Sequence, residues 1–208
     1  FKSERSVSAE GGETLTDRSL LNVRDILDFA HSVKLEDVEP ILRPQVEHNT
    51  AIAEAGLTED YGASVGKVLL ENFGNAVGNV ARATAAAASD ARMDGCQLPV
   101  VINSGSGNQG IAASIPVIVY ARYYELSEEK LFRALCVSNL VAIHQKTGIG
   151  RLSAYCGAVS AACGSGAAIT YMLGGDYEEV CDTITNTLAN VSGILCDGAK
   201  PSCAAKIA

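Results

Sequence analysis

The sequence predicts a mainly α fold: a compact helical domain with small-residue-rich central helices and one or two short β pieces. Three observations carry this expectation. Apolar residues recur near a 3.6-residue period over most of the chain, as at Leu20, Val23, Leu27 and Ala30. Ala and Gly are abundant while aromatics make up only 5% and Trp is absent, so helices are expected to meet through small faces. Strand-like patterning is confined to a short stretch, Leu98 to Ile102.

Taken in order, residues 1–15 read as an extended lead-in from a missing N-terminal region, and residues 16–208 as one helical domain. Its first helix has Thr16 and Asp17 as capping candidates. A second spans about Leu35 to Glu54, with Pro40 and Pro44 marking its start or a kink. A third runs from about Gly62 to Met93, carrying Gly66, Gly74 and Gly78 near one face. After the strand-like stretch and a glycine-rich loop comes a helix over Ile111 to Tyr124. Ser127 caps the next, with Glu128 and Glu129 in its first turn, and Thr147-Gly148-Ile149-Gly150 ends it after Lys146. Ser153 to Leu173, rich in Ala, Gly, Ser and Cys, reads as a central helix. Asp176-Tyr177-Glu178-Glu179 has capping-box spacing, and Val180, Ile184, Leu188 and Val191 continue an amphipathic helix closed by Gly193. Lys206-Ile207-Ala208 reads as a helix still running, so the domain is expected to be truncated at its C-terminus.

Composition narrows the function. A hydrophobic content of 48% with 19% charged residues is globular rather than disordered. A net charge of -8 without any basic run argues against a nucleic-acid partner. No stretch reaches the roughly 18 apolar residues of a membrane span, so a soluble, cytoplasmic protein is expected. Seven cysteines, an odd number without secretory features, disfavour a disulfide scaffold and leave buried thiols or a metal site.

The loop Asn103-Ser104-Gly105-Ser106-Gly107-Asn108-Gln109-Gly110 is suited to an anion. Its glycines bring backbone N–H groups close to a ligand, and the helix that follows adds unpaired donors and a positive dipole end. Gly105-x-Gly107-x-x-Gly110 also matches the dinucleotide fingerprint, but the second strand and its acidic residue are replaced by Tyr123-Tyr124-Glu125-Leu126-Ser127-Glu128-Glu129, one helix entering another. A small-anion cradle, a tight turn and a nucleotide site thus all remain open.

Cys196-Asp197-Gly198-Ala199-Lys200-Pro201-Ser202-Cys203 is turn-rich, and Cys156 follows the Gly148-Ile149-Gly150 break. Three convergent thiolates suit zinc or an iron–sulfur cluster, while the competing reading is buried packing cysteines. Cys136, Cys163 and Cys181 lie in helical patterns and read as core, and Cys96 as a loop thiol. His31 and His48 sit in charged helical contexts and read as surface residues. His144, close to Lys146 and twelve positions before Cys156, can face the same cavity; the bland reading is a histidine stabilised by its helix end.

At the glycine loop, at His144-Gln145-Lys146-Thr147-Gly148, at Cys156-Gly157 and at Cys196 to Cys203, the chain resembles the L-serine dehydratase α-chain-like family, nearest to its L-cysteine desulfidase branch. The resemblance covers nearly everything from Asp17 onward. It implies a helical iron–sulfur dehydratase-like catalytic domain and a [4Fe–4S] cluster held by Cys156, Cys196 and Cys203, with one iron open to substrate. It also implies β-elimination of L-cysteine to pyruvate, ammonia and sulfide, or of L-serine to pyruvate and ammonia. Asn103, Ser104, Gly105, Ser106, Gly107, Asn108 and Gln109 would line the substrate pocket, the loop N–H groups and the Asn108 and Gln109 amides holding the carboxylate. The branch's Cys-Thr-Glu-Pro-type motif does not occur here, which leaves His144 and Lys146 as candidate catalytic bases. The partners implied are a small amino-acid substrate and a missing N-terminal segment of the same protein, with a homodimer as candidate assembly and neither nucleic acid nor membrane. A non-catalytic metal-binding or scaffold domain is the alternative of another class, followed by a nucleotide-binding protein.

Overall fold

The structure is a computed structural model, and it describes residues 17–149, 154–190, 194–196 and 198–208. After a single 3-10 turn at Arg18–Leu20 the described helices are α1 (Val23–Ser32), α2 (Leu35–Thr58), α3 (Val65–Phe73), α4 (Val77–Met93), α5 (Gly107–Tyr123), α6 (Glu128–Ile149), α7 (Gly157–Met172), α8 (Tyr177–Asn190) and α9 (Cys203–Ile207). Among the described residues the short β pieces reduce to two isolated bridges, Asn103 with Ser106 and Tyr155 with Leu195. The lead-in over 1–15 lies outside the described residues.

Local signals set several boundaries. Asp176 and Glu179 form the reciprocal capping box: the Glu179 N–H donates to Asp176 Oδ1 at 3.0 Å and the Asp176 N–H to Glu179 Oε2 at 2.9 Å. Ser127 Oγ accepts from the Lys130 N–H at 3.3 Å at the start of α6. The first helix begins later than expected, at Val23, because Asn22 rather than Asp17 caps it, accepting from the Asp25 N–H at 3.0 Å; the other capping candidate, Thr16, lies outside the described residues. The helix expected over Gly62 to Met93 is two helices. Gly74 takes φ +72° with ψ −171°, an extended positive-φ conformation that glycine alone adopts readily, and this ends α3 before α4 begins at Val77. Pro40 and Pro44 both lie within α2, which runs on through them. Pro40 is exposed, so the carbonyl it fails to satisfy can bond to water.

The small faces are used as the composition implies. The alanine run Ala85–Ala88 on α4 is wholly buried, and a Cβ on Gly56 of α2 or Gly66 of α3 would collide with the backbone of Ala87 or Ala83. Gly164 likewise brings α7 against the Ser138 carbonyl of α6. Together with α7, the helix expected at the centre, α5 forms the middle of the bundle, buried on nearly every side. Its Ile111, Ile115 and Ile118 join the α2 and α4 side of the core, while Val117 and Ala121 join the side built on α1, α6, α7 and α8. Each such isoleucine contributes about 2 kcal/mol by leaving water.

The strand-like stretch before α5 pairs with no strand among the described residues. Instead, the fully buried side chain of Asn49 on α2 acts as its partner. Asn49 Oδ1 accepts from the Val101 N–H at 2.8 Å, and its Nδ2 donates to the Val101 carbonyl at 3.3 Å and to Ser114 Oγ at 2.9 Å. A sheet would have satisfied those backbone groups; here one amide side chain ties the segment to α2 and α5.

Helix directions then define one end of the bundle. The short turn after Tyr123 makes α5 and α6 antiparallel, with Ser138 Oγ donating to the Ala113 carbonyl at 2.5 Å. The end of α7 at Tyr171 and Met172 shares a cavity with Glu129 and Arg133 at the start of α6, so these two are antiparallel as well. The N-termini of α5 and α7 and the C-terminus of α6 therefore lie together.

Candidate functional site

The glycine loop divides into two parts. Asn103 to Ser106 is a two-residue hairpin: the Ser106 N–H donates to the Asn103 carbonyl at 3.0 Å and the Asn103 N–H to the Ser106 carbonyl at 3.2 Å. Its central residues, Ser104 and Gly105, take φ +49° and +84°, the left-handed pair that the right-handed twist of such hairpins requires. Gly107 then begins α5. Ser106 makes no side-chain cap, the first turn holds no acidic residue, and the first α5 N–H turned back into the helix is that of Gly110, which donates to the Ser106 carbonyl at 3.1 Å. The Gly107, Asn108 and Gln109 N–H groups are left without a hydrogen-bond acceptor among the described residues, as an anion-binding helix start requires.

The loop side chains divide the work. Asn103 is buried and its Nδ2 donates to Asn139 on α6, to Oδ1 at 2.9 Å and to the carbonyl at 3.3 Å. Asn139 in turn exchanges two hydrogen bonds with buried Gln45 on α2, at 3.0 and 2.8 Å. Ser104 Oγ donates to Asn103 Oδ1 at 2.9 Å. Asn103 and Ser104 are thereby engaged in holding the loop to α2 and α6. Asn108 and Gln109 are half-buried. The Gln109 amide lies across the face of Gly157, occupying the space a Cβ there would need, so the glycine loop touches the residue next to Cys156.

Cys156 is the N-cap of α7. Its N–H donates to the Ile194 carbonyl at 3.1 Å, and the Cys196 N–H donates to the Ala154 carbonyl at 2.6 Å, so the Cys156 and Cys196 segments form one antiparallel bridge. Lys206 Nζ on α9 donates to the Leu195 carbonyl at 3.2 Å, and Ile207 docks among Ala112, Ala113 and Ala161 of α5 and α7. This places Cys203, the first residue of α9, in the same neighbourhood; its Sγ lies 3.8 Å from the Gly198 carbonyl. All three cysteines are free thiols, Cys196 exposed and the other two half-buried. Among the described residues no three His, Cys, Asp or Glu side chains are gathered closely enough to hold a metal ion. The donor set thus fits a sulfur-ligated cluster in kind and in neighbourhood, with the thiols not drawn into a chelating set. Cys136 and Cys163 are different: they are buried, and burial pushes each thiol up to about 11. Cys181 on α8 is half-buried.

Lys146, in the last turn of α6, is only 8% exposed and has no hydrogen-bond or ion-pair partner among the described residues. Its stem is buried while its Nζ is not among the buried atoms left without a partner, so the amine end reaches solvent at this end of the bundle and is accessible to a ligand. It lies two turns beyond Asn139 on the same face of α6. His144 is half-buried nearby, also without a partner among the described residues. His31 is exposed and its Nδ1 lies 2.9 Å from the Tyr171 hydroxyl at the far end of the bundle, and His48 is half-buried on α2.

One residue of this end carries no sequence signal. The guanidinium of Arg92, from the last turn of α4, covers Gly107, with Cζ 2.8 Å from where a Cβ would stand, and its Nη1 donates to Asn108 Oδ1 at 3.2 Å. Fifteen positions separate Arg92 from Gly107, and only the docking of α4 on α5 brings them together.

Fold and site together define a helical domain in which an uncapped helix N-terminus, a buried lysine and three cysteine-bearing segments share one end of the bundle. The chain belongs to the serine dehydratase alpha chain family, whose sequence profile matches residues 5–208. It is 62% identical over 198 residues to a UPF0597 protein of Desulfitobacterium hafniense, covering 95% of this chain and 46% of that protein. A UPF0597 protein of Treponema denticola is 59% identical over 215 residues, covering 100% of this chain and 49% of the relative. One from Lachnoclostridium phytofermentans is 59% identical over 196 residues, covering 94% and 47%. The chain spans about half the length of the curated relatives it matches. No solved structure matches it. No helix among the described residues is long and apolar enough to cross a membrane.

Proposed function

We propose that this chain is the catalytic part of an iron–sulfur lyase that β-eliminates a small amino acid, L-cysteine to pyruvate, ammonia and sulfide or L-serine to pyruvate and ammonia. The observation that carries the reading is the contact of Gln109 with Gly157, which sets the anion-ready start of α5 beside the bridge joining the Cys156 and Cys196 segments. Family membership supports the lyase class.

Cys156, Cys196 and Cys203 would hold a [4Fe–4S] cluster, and that group, when bound, supplies Lewis acidity toward the β-leaving group. The chain's own residues do the rest. The Gly107, Asn108 and Gln109 N–H groups bind and orient the substrate carboxylate, while Asn103, Asn139 and Gln45 keep the loop in place. Lys146 Nζ, as the neutral amine and unpaired among the described residues, takes the Cα proton and becomes the ammonium, with His144 as the second candidate. The electron pair released forms the Cα–Cβ double bond as the Cβ–S or Cβ–O bond breaks, and the leaving sulfur or oxygen receives the proton the base has taken, departing as hydrogen sulfide or water. The resulting aminoacrylate tautomerises to an imine, which water hydrolyses to pyruvate and ammonia.

The test uses full-length protein, reconstituted anaerobically with iron and sulfide. Broad visible absorbance, lost in the C156S/C196S/C203S variant, together with pyruvate formed from L-cysteine or L-serine, is the expected result. Colourless protein that retains no iron and forms no pyruvate from any amino acid refutes the reading.

A further inference from the structure

We infer that Arg92 is the carboxylate-recognising residue of this site, pairing its guanidinium with the substrate's α-carboxylate above the first turn of α5. The inference rests on the lyase reading and adds to it a side chain that neither the loop motif nor the cysteines indicate.

The electrostatics at this position are out of balance. The N-terminus of a 17-residue helix carries a positive dipole end, and α5 offers it neither a capping side chain nor an acidic residue in the first turn. A cation is the wrong charge to place there, yet the Arg92 guanidinium lies directly over Gly107. Its neighbours on α4 do not neutralise it. The Asp90 carboxylate accepts from the Val65 and Ala63 N–H groups at 2.7 and 3.4 Å, and Asp94 Oδ2 accepts from the Gly62 N–H at 3.1 Å, so both acids serve the start of α3. Among the described residues Arg92 has no carboxylate partner; its polar contact is the neutral Asn108 amide. In a chain with eight surplus negative charges, a cation without a carboxylate partner at a helix N-terminus is suited to recognising an anion.

A second observation is independent of α4 and points the same way. Lys146, nine-tenths buried on α6 at this end of the bundle, is also without a partner among the described residues. Gly107 is explained as well. A side chain there would displace the guanidinium, so glycine is required for the cation to approach the free N–H groups. A planar fork matched by two carboxylate oxygens suits an amino-acid substrate better than a point charge does. Asn108 Oδ1 accepts from Nη1 alone, and the guanidinium makes no other hydrogen bond among the described residues.

The experiment is a thermal-shift titration of full-length protein with L-serine and with L-serine methyl ester, on wild type and on Arg92→Gln and Arg92→Lys. L-serine is expected to raise the melting temperature of wild type and its ester is not. In Arg92→Gln the apparent affinity for L-serine should fall about 10- to 100-fold, the loss of one charge-assisted pair, and the preference for acid over ester should vanish. Arg92→Lys should keep part of both. Equal L-serine shifts in wild type and Arg92→Gln, or an acid preference that survives the substitution in a protein of unchanged unliganded melting temperature, overturn the inference. Pyruvate formation is scored separately. Wild type that forms pyruvate while Arg92→Gln keeps its acid preference sinks the Arg92 assignment alone; wild type that neither binds L-serine nor forms pyruvate sinks both.

Discussion

Substituting alanine at Gly110 separates the effect of backbone proximity from that of helix propensity. Within a helix, glycine to alanine favours folding by about 1 kcal/mol. At Gly110 the added methyl would collide with the Val101 carbonyl oxygen and lie 3.0 Å from both Cα and the carbonyl carbon of Ile102. These are backbone atoms, and the Asn49 amide holds them from both sides through Val101, at 2.8 and 3.3 Å. Relief therefore needs a shift of the whole strand-like segment or of α5. Overpacking of this kind costs about 1–3 kcal/mol, and the two Asn49 bonds put about 2 kcal/mol more at risk. After the propensity gain, Gly110→Ala should be destabilised by about 2–4 kcal/mol. Gly148, in the last turn of α6, has no atom within 4 Å of an added Cβ, so Gly148→Ala keeps the propensity gain and should be stabilised by about 0.5–1 kcal/mol. For a chain of this size 1 kcal/mol moves the melting temperature by about 2–4 °C. Thermal unfolding should thus place the first variant about 4–16 °C below wild type and the second slightly above it. Gly110→Ala melting at or above wild type would refute the reasoning.

Two more outcomes follow from the same packing. Asn49→Ala removes the fully buried side chain that pairs with Val101 and Ser114 and leaves a half-buried N–H unsatisfied, so urea denaturation should show a loss of about 2–4 kcal/mol with little change in slope; a loss under about 0.5 kcal/mol would be inconsistent with it. Burial holds the Asp90 carboxyl above its usual range, outweighing the Val65 and Ala63 N–H groups that pull it down, with the Asp94 charge adding to the rise. The folded state therefore keeps this proton to higher pH than the unfolded chain does, and Asp90 is least unfavourable below the ordinary aspartate value. Its contribution to stability declines as pH rises through the folded value. The stability of Asp90→Asn relative to wild type should accordingly improve between pH about 4 and about 7 in paired urea titrations; movement the other way would show that the N–H bonds, not burial, dominate.

What could be read in the chain alone was local. Ser127 before two glutamates and Asp176 three positions before Glu179 specify their helix starts, because a capping interaction spans a single turn. The scarcity of aromatics and the alanine run Ala85–Ala88 likewise implied helices in close contact. The same local patterning also misled. Leu98 to Ile102 has a strand's composition, yet its backbone is satisfied by the side chain of Asn49, about fifty residues earlier. Gly66, Gly74 and Gly78 looked like one helix face, but φ +72° at Gly74 ends a helix there.

The sequence by itself therefore determined that this protein is helical, where the helices capped by Ser127 and Asp176 start, and which segments carry thiols and a glycine-rich loop, since each of these depends on residues within a few positions of one another. Only the tertiary structure decided that the starts of α5 and α7 lie together, that Gln109 covers Gly157, and that Arg92 stands over Gly107. Those meetings depend on helix direction and close approach between distant segments, and these emerge only when the whole core is packed.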